Sequence, residues 1–186
     1  MRSPIKRLIS AGALSLTALA LVGASANPTG VDGRIKLGKS YRVGGDTYTP
    51  ADDPVYDAVG YASWYGNELA GRRTANGEMF MPSGISAAHR TLPMPSYVEV
   101  TALSTGRTIL VRINDRGPFS ASRLIDLSRG AAEQLGIIGR GPSPVRIRRV
   151  EPTEEERAAL RAGQRAAERI PVSGEDLERF REQLAR

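Results

Sequence analysis

Apolar and polar residues alternate along the middle of the chain, from Val59 onward. The alternation has a period of two, which is typical of half-buried β-strands. Four segments have this pattern: residues 96–103, 107–113, 123–127 and 145–148. The first two flank Ser104-Thr105-Gly106, so they are predicted to form a hairpin. Short strands with Gly-Pro corners favour a small closed barrel over 59–150, because closure leaves no exposed sheet edge.

One short helix is predicted inside this barrel. Ser128 is a suitable N-cap, residues 129–135 form the helix, and Gly136 ends it. The fold class is therefore mainly β, with a short helix among the strands.

The pattern changes to helical after Pro152. Thr153 and Glu156 form a capping box ahead of a predicted helix over 154–170, which Pro171 ends. Ser173, with Asp176, begins a second helix. Four arginines lie four residues apart on one face of the first helix: Arg157, Arg161, Arg165 and Arg169. Their repulsion requires either water or an acidic partner along that face.

Residues 27–58 carry Gly and Pro at spacings that allow neither a helix nor a long strand, so they are predicted to form an extended lead-in. Four apolar or aromatic residues are candidates for pinning it onto the barrel: Tyr41, Val43, Tyr48 and Val55.

The first 26 residues have the pattern of a signal peptide. Arg2, Lys6 and Arg7 form a positive start, residues 8–22 are apolar, and Ala24-Ser25-Ala26 supplies a cleavage site. The apolar run is shorter than the roughly 20 residues that span a bilayer. The chain has no cysteine, which excludes disulfides, thiol chemistry, thiolate metal sites and a cysteine-linked lipid. We therefore expect a periplasmic protein without a lipid anchor.

The positive charge is concentrated in the central domain. Residues 60–150 hold twelve Arg and six acidic residues, within a total net charge of +6. Arginine suits carboxylates and sugar hydroxyls, although a solvated basic surface explains the excess equally well. Because the predicted signal peptide carries three of the positive charges, the remainder is too small to indicate a nucleic-acid partner.

Few chemistries fit the residue types present. A Ser-His-Asp triad would have to use His89, and no nucleophile elbow is visible around any serine. No metal-ligand spacing occurs, so neither a metal nor another cofactor is expected.

Carboxylates are the remaining candidates, and the barrel region holds six of them: Glu68, Glu78, Glu99, Asp115, Asp126 and Glu133. Glu99 is expected to face water on its strand, and Glu133 lies in the short helix. Glu78 lies in a polar loop with an Asn-Gly turn, and Asp115 follows a strong strand. Turn formation explains Asp115 equally well, and helix capping explains Asp126.

Six motifs between Val59 and Val150 resemble the rare lipoprotein A family of septal lytic transglycosylases. They are residues 62–66 (ASWYG), 71–78 (GRRTANGE), 87–89 (AAH), 92–93 (LP), 111–119 (VRINDRGPF) and 125–128 (IDLS). The resemblance implies a six-stranded double-psi β-barrel, preceded by the lead-in and followed by the C-terminal helices of residues 151–186.

The resemblance also implies roles for individual residues. Asp115, Glu78 and His89 match the three residues that the family is thought to need. We assign Asp115 as the acid/base, with Glu78 raising its pKa or contacting substrate and His89 orienting one of the two through a hydrogen bond. The reversed roles of the two carboxylates are also open. Six further residues are assigned to substrate binding: Ser63, Tyr65, Thr74, Asn114, Arg116 and Asp126. Related barrels also make Asp126 a rival acid.

The implied activity is endolytic cleavage of MurNAc-GlcNAc bonds in peptidoglycan, leaving 1,6-anhydro-MurNAc ends, in wall remodelling and daughter-cell separation. The alternative is an expansin-like module that binds peptidoglycan without cutting it. Glycan strands are the expected partner, and the charged C-terminal helices serve either a cell-division or wall protein or no partner.

Overall fold

A computed structural model of the chain describes Asp32 and residues 35–186. The predicted signal peptide lies outside these residues. The described part forms eight strands and three α-helices, with one 3-10 turn at Asn67–Leu69: β1 (Tyr41–Val43), β2 (Asp46–Tyr48), β3 (Asp57–Tyr65), β4 (Ser86–Ala88), β5 (Ser96–Ala102), β6 (Thr108–Asp115), β7 (Ile125–Ser128), α1 (Arg129–Leu135), β8 (Ser143–Arg149), α2 (Glu154–Arg161) and α3 (Gly174–Leu184). No helix in this part of the chain has both the length and the apolar character to cross a membrane.

Strands β3 to β8 close into a barrel in the order β3-β7-β4-β6-β5-β8. The β3–β7 and β4–β6 pairs are parallel, whereas the other neighbours are antiparallel. Strands that follow one another in sequence are therefore often separated in the barrel, as the crossed connections of a double-psi barrel require. This confirms the predicted fold class.

The barrel encloses the apolar core, and the sequence alternation predicted this well. Val98 and Val100 of β5 and Val111 and Ile113 of β6 are fully buried. The two strands pair as the predicted hairpin, and Gly106 supplies the positive φ of 76° that its turn requires. Strand β7 begins at Ile125, two residues later than predicted, and the guanidinium of Arg123 ahead of it bonds Asp126.

Helix α1 lies where the sequence predicted it. The Ser128 hydroxyl accepts a hydrogen bond from the Ala131 amide at 3.2 Å, and Gly136 ends the helix in the left-handed conformation. Gly130, in its first turn, lies directly against the backbone of Ser83, where an added Cβ would lie 2.2 Å from the carbonyl oxygen.

The prediction for the first C-terminal helix was wrong in its second half, because α2 ends at Arg161 rather than near Ile170. Gly163 takes a φ of 74° and packs on Met81 and Gly84, which turns the chain out of the helix. The following segment runs extended to the barrel hairpin, where the Val172 amide donates to the Gly106 carbonyl at 3.0 Å. The capping box ahead of α2 and the start of α3 after Ser173 are confirmed.

Three of the four regularly spaced arginines, Arg157, Arg161 and Arg169, pair with acids in the described part of the chain. Arg157 and Arg161 of α2 both approach the carboxylate of Asp32, and Arg169 bonds Glu99 and Glu156. The expectation that Glu99 faces water was therefore wrong, since its side chain is only 18% exposed. The prediction that all four lie on one helical face was wrong, because α2 ends at Arg161 and leaves Arg165 and Arg169 outside it. Ion pairs with acids offset the repulsion between the remaining two.

The lead-in is folded onto the barrel by aromatic contacts. Tyr41 and Tyr48, on the two strands of the β1–β2 hairpin, stack with ring centroids 5.4 Å apart, and both contact Phe119. The Tyr41 hydroxyl donates to the Arg90 carbonyl at 2.8 Å. Val55, another candidate for this contact, is instead 84% exposed. Two of the four residues that we considered are therefore anchored by aromatic packing.

Candidate active site

The strand register places two carboxylates in one row across the barrel wall. Ser63 of β3 pairs with Asp126 of β7, Asp126 pairs with Ala88 of β4, and Ala88 pairs with Asp115 of β6. Asp126 and Asp115 are thus two strands apart, which corresponds to about 10 Å between their Cα atoms. The residue between them is Ala88, where a bulge interrupts the β4–β6 register.

Asp115, at the end of β6, is held through one of its two carboxylate oxygens. Oδ1 accepts hydrogen bonds from the Ala75 amide at 2.9 Å and from the Arg116 amide at 2.8 Å. Among the described residues, Oδ2 receives no hydrogen bond from the protein, and the residue is partly exposed. The carboxylate is therefore oriented by backbone donors while one oxygen is left for a substrate.

The loop of residues 74–78 is fastened along the end of β6. The Asn76 amide donates to the Asn114 carbonyl at 3.3 Å, next to the Ala75 contact with Asp115. Thr74 is buried, and its hydroxyl donates within the loop, to Asn76 Oδ1 at 2.7 Å and to the Glu78 carbonyl at 3.1 Å. The Thr74 hydroxyl, assigned to substrate binding from the sequence, thus shapes the loop that carries Glu78.

Glu78 is bound by a buried arginine that the sequence analysis did not single out. Arg112 donates from Nη1 to Oε2 at 2.5 Å and from Nη2 to Oε1 at 2.6 Å, and Asn114 Nδ2 donates to Oε2 at 3.0 Å. Burial acts to raise the pKa of Glu78, but the bonds and charge of Arg112, together with Asn114 and Asn76, hold it below its usual range. Glu78 is therefore an anion at neutral pH.

The guanidinium of Arg116 is also bonded within the protein, to three backbone carbonyls. Its Nη1 donates to the carbonyls of Leu92 and His89, at 2.7 and 3.2 Å, and its Nη2 donates to the Leu37 carbonyl at 3.2 Å. These bonds tie the lead-in and the loop after β4 to the end of β6. We assigned Arg116 to substrate binding from the sequence, and its guanidinium here supports the walls of the site.

His89 is buried, and its ring bonds neither candidate carboxylate. Nδ1 accepts from the amides of Thr91 and Leu92, at 3.3 and 3.1 Å, so the neutral ring carries its proton on Nε2. Nε2 then donates to the Tyr56 hydroxyl at 3.1 Å. The expected hydrogen bond from the ring to a carboxylate is replaced by a backbone link, in which the His89 amide donates to the Asp115 carbonyl at 3.1 Å.

The buried ring predicts a specific dependence of stability on pH. Burial, followed by the charges of Arg90 and Arg116, lowers the pKa of His89 to about 3, against about 6.5 in an unfolded chain. Between these values the unfolded state binds a proton that the folded state does not, so stability falls as the pH drops below 6.5. At pH 4.5 this group should cost about 2 to 3 kcal/mol relative to pH 7.

The measurement compares urea unfolding of the parent and of His89→Asn at pH 7 and pH 4.5. Carboxylate contributions largely cancel in the difference between the two proteins. That difference should shrink at pH 4.5, because asparagine cannot take up a proton in the unfolded state. A difference that stays constant with pH would show that His89 is not a buried neutral ring.

Tyr65 and Asp126 form the other side of the candidate site. Burial raises the pKa of the Tyr65 phenol, and the nearby charges of Asp115 and Asp126 raise it further. Its hydroxyl is buried and has no hydrogen-bond partner among the described residues. Burial also raises the pKa of Asp126, while its ion pair with Arg123 at 2.9 Å opposes the rise. Tyr65 thus offers an unused donor near both acids.

The structure brings most of the sequence candidates together and adds residues from outside the barrel. Asp115, Glu78, Asn114 and Thr74 surround the end of β6, whereas Ser63, Tyr65 and Asp126 lie along β3 and β7. The residues that the sequence analysis missed are Arg112, Asp32 and Tyr56. A buried polar face of β6 was visible in the alternation around Arg112, but its partners lie 34 residues away in the loop and 80 residues away in the lead-in.

Among the described residues there is no cluster of His, Asp and Glu side chains arranged to hold a metal ion. The closed mixed barrel, with Asp115 and Asp126 on its strands and Glu78 in a loop, defines a double-psi β-barrel protein with an acidic site. The sequence profile of a family described as lytic transglycolase matches residues 57–147, which span nearly all of the barrel of this chain.

Two relatives share this barrel at high identity. An endolytic peptidoglycan transglycosylase RlpA of Neisseria meningitidis serogroup A is 44% identical over 115 residues, which cover 61% of this chain and 48% of that protein. One from Pseudomonas aeruginosa is 49% identical, with 61% of this chain and 34% of that protein covered. The chain thus spans half or less of the length of these relatives.

Solved structures resemble the chain more loosely. Streptomyces papain inhibitor overlaps 54% of this chain and its own whole length, with 26% identity and a TM-score of 0.45. That overlap is too loose to bear on the site.

Proposed function

We propose that this chain is an endolytic peptidoglycan lytic transglycosylase that cleaves MurNAc-GlcNAc β-1,4 bonds and leaves 1,6-anhydro-MurNAc ends. The observation that carries this proposal is the match of the barrel to the lytic transglycolase family, together with an oriented Asp115 at the end of β6 and an ionised Glu78 in the loop fastened there. Residues 59–150 are then the catalytic domain.

Asp115 is the proposed acid/base. Its free Oδ2 carries the proton to the bridging oxygen as the MurNAc ring develops oxocarbenium character. The resulting carboxylate then takes the proton of the C6 hydroxyl, which attacks C1 of the same sugar. The proton that was given up is regained, so one carboxyl group completes the reaction and water is not consumed. The backbone bonds to Oδ1 keep the group in one orientation through both steps.

Glu78 has a different proposed role, because its low pKa leaves it no proton to donate at neutral pH. A fixed anion near C1 stabilises positive charge as it develops on the sugar ring, and it does so without reorganising. His89 acts indirectly, by holding the loop that bonds Asp115 through the backbone. The Tyr65 hydroxyl, which has no partner among the described residues, is available to bind a sugar oxygen.

Asp126 is the second candidate for the acid. Its raised pKa favours the protonated form that a general acid needs, and its ion pair with Arg123 works against this. We favour Asp115 because one of its oxygens accepts no hydrogen bond from the described residues, whereas both oxygens of Asp126 accept from Arg123.

The proposed substrate places the protein outside the cytoplasm. Export by the predicted signal peptide of residues 1–26 would deliver it to the periplasm, where glycan strands are its partner in wall remodelling and daughter-cell separation. The arginines of the barrel contribute less free charge than the sequence suggested, since six of them bond carboxylates: Arg112, Arg123, Arg129, Arg146, Arg148 and Arg149.

The test is digestion of purified sacculi and of denuded glycan strands by the protein without its first 26 residues. Mass spectrometry should detect muropeptides or glycan fragments with 1,6-anhydro ends. New reducing ends would indicate hydrolysis instead, and binding without any released product would favour the expansin-like alternative.

A further inference from the structure

Arg112 lies in the middle of β6, and its side chain is only 6% exposed. It holds both oxygens of Glu78, with N–H···O bonds of 2.5 and 2.6 Å from its two Nη atoms. A bidentate contact fixes the position of a carboxylate as well as its rotation, which a single bond does not. The geometry of Glu78 therefore depends on where the guanidinium of Arg112 is held.

A second carboxylate holds that guanidinium from the other side. Asp32 of the lead-in accepts from Arg112 Nη2 at 3.3 Å and is itself only 8% exposed. Its other oxygen accepts from the Tyr97 hydroxyl of β5 and faces Arg161 and Arg157 of α2, at 3.4 and 3.9 Å. Buried charges of this kind are poorly screened by salt, so each one affects its neighbours.

We propose that Arg112 is the positioning residue of Glu78 and that Asp32, which α2 holds, competes with Glu78 for the guanidinium of Arg112. The two segments that flank the barrel thereby act on the site through one guanidinium. This inference rests on the proposed function for the role of Glu78, but the linkage itself is a property of the folded chain.

The sign of each effect follows from the charges around Glu78. The groups facing it are Arg112 and Asn114 of β6 and Asn76 of its own loop, and behind Arg112 lie Asp32, Tyr97, Arg157 and Arg161. Asp32→Asn removes the competing anion, so Arg112 binds Glu78 with its undivided charge and the pKa of Glu78 falls. Arg112→Lys keeps the charge but cannot span both oxygens, so the pKa of Glu78 rises.

The first experiment measures the linkage without any activity. The ¹³C chemical shift of the Glu78 carboxyl is followed by NMR as a function of pH in the full chain, in Asp32→Asn and in Arg112→Lys. The midpoint should move up by about one pH unit in Arg112→Lys and down in Asp32→Asn. Arg161→Gln, which frees Asp32 to compete for Arg112, should move it up. Unchanged midpoints in Arg112→Lys and Asp32→Asn would overturn the inference.

The second experiment measures the release of anhydro ends. Arg112→Lys should lower kcat by about 10- to 100-fold with little change in KM, because a misplaced charge weakens the transition state more than substrate binding. Arg146→Lys is the matched control, since Arg146 also holds an aspartate, Asp57, with two bonds on the same barrel but away from the site. It should retain parental activity.

The two experiments separate two kinds of failure. A parent that releases no anhydro product, together with shifted NMR midpoints, contradicts the proposed function and leaves the linkage supported. An active parent whose kcat is unchanged in folded Arg112→Lys contradicts the positioning role. Thermal unfolding of each variant identifies any loss of activity that comes from unfolding. If Arg112→Lys does not fold, the NMR midpoint of Glu78 in Asp32→Asn decides whether the linkage exists.

Discussion

The Asp115→Asn substitution is expected to slow the release of 1,6-anhydro products by about 100- to 10,000-fold, the usual contribution of a general acid/base. Asparagine still offers an oxygen to the amides of Ala75 and Arg116, so the loop geometry should persist. It lacks the proton that Oδ2 would transfer. The measurement is the initial rate of anhydro-muropeptide release from sacculi, with circular dichroism to verify the fold.

Glu133→Gln is a suitable control for this experiment. Glu133 is a carboxylate on α1 that pairs with Arg129 at the surface, and its removal should leave the rate unchanged. If Asp115→Asn keeps full activity while Asp126→Asn is inactive, the acid is Asp126 and the assignment to Asp115 is wrong. If both variants are inactive, glycan binding distinguishes the two roles. Weakened binding by Asp126→Asn would explain its inactivity and leave proton transfer assigned to Asp115.

The Gly130→Ala substitution, in the first turn of α1, should destabilise the fold strongly. The new Cβ would lie 2.2 Å from the Ser83 carbonyl oxygen and 2.8 Å from that of Gly84, and both are backbone atoms that cannot rotate away. Helix α1 would have to move off the loop that it covers. We expect a loss of about 3 kcal/mol in the free energy of unfolding, at the upper end for overpacked sites.

Gly174→Ala provides the matched comparison, because Gly174 starts α3 and no described atom lies within 4 Å of the position that an added Cβ would take. Alanine there restricts only the unfolded chain and should be neutral or stabilising by up to about 1 kcal/mol. Urea denaturation of both variants at one pH gives the two values. Equal stability of Gly130→Ala and the parent would mean that α1 is not packed against Ser83.

Local signals in the sequence were sufficient for much of the fold. The alternation in β5 and β6 predicted the hairpin, and Ser128 with Gly136 marked both ends of α1. These succeed because the relevant forces act between near neighbours. The predicted length of α2 was wrong because the segment after Gly163 is fixed by a distant contact, the hydrogen bond from Val172 to Gly106, which helix propensity does not reflect.

The candidate site was predictable in its carboxylates but not in their surroundings. The Asn-Gly turn marked Glu78 as a loop acid, and Asp115, predicted to follow a strand, is the last residue of β6. The ion pair between Arg112 and Glu78 and the hydrogen bond between His89 and Tyr56 were not predicted. Each joins residues more than thirty positions apart in the sequence. The charge state of each group is therefore a property of the assembled barrel rather than of its motif.

The contact between Asp32 and Arg112 also affects how such proteins can diverge. The family pattern covers residues 57–147, whereas Asp32, Arg157 and Arg161 lie outside it. Two proteins with the same barrel but different flanking segments would keep the same acids, but the glutamate that corresponds to Glu78 would have a different pKa in each. Exchange of the flanking segments between relatives is thus a route by which evolution could retune the pH range of a barrel without altering any residue inside it.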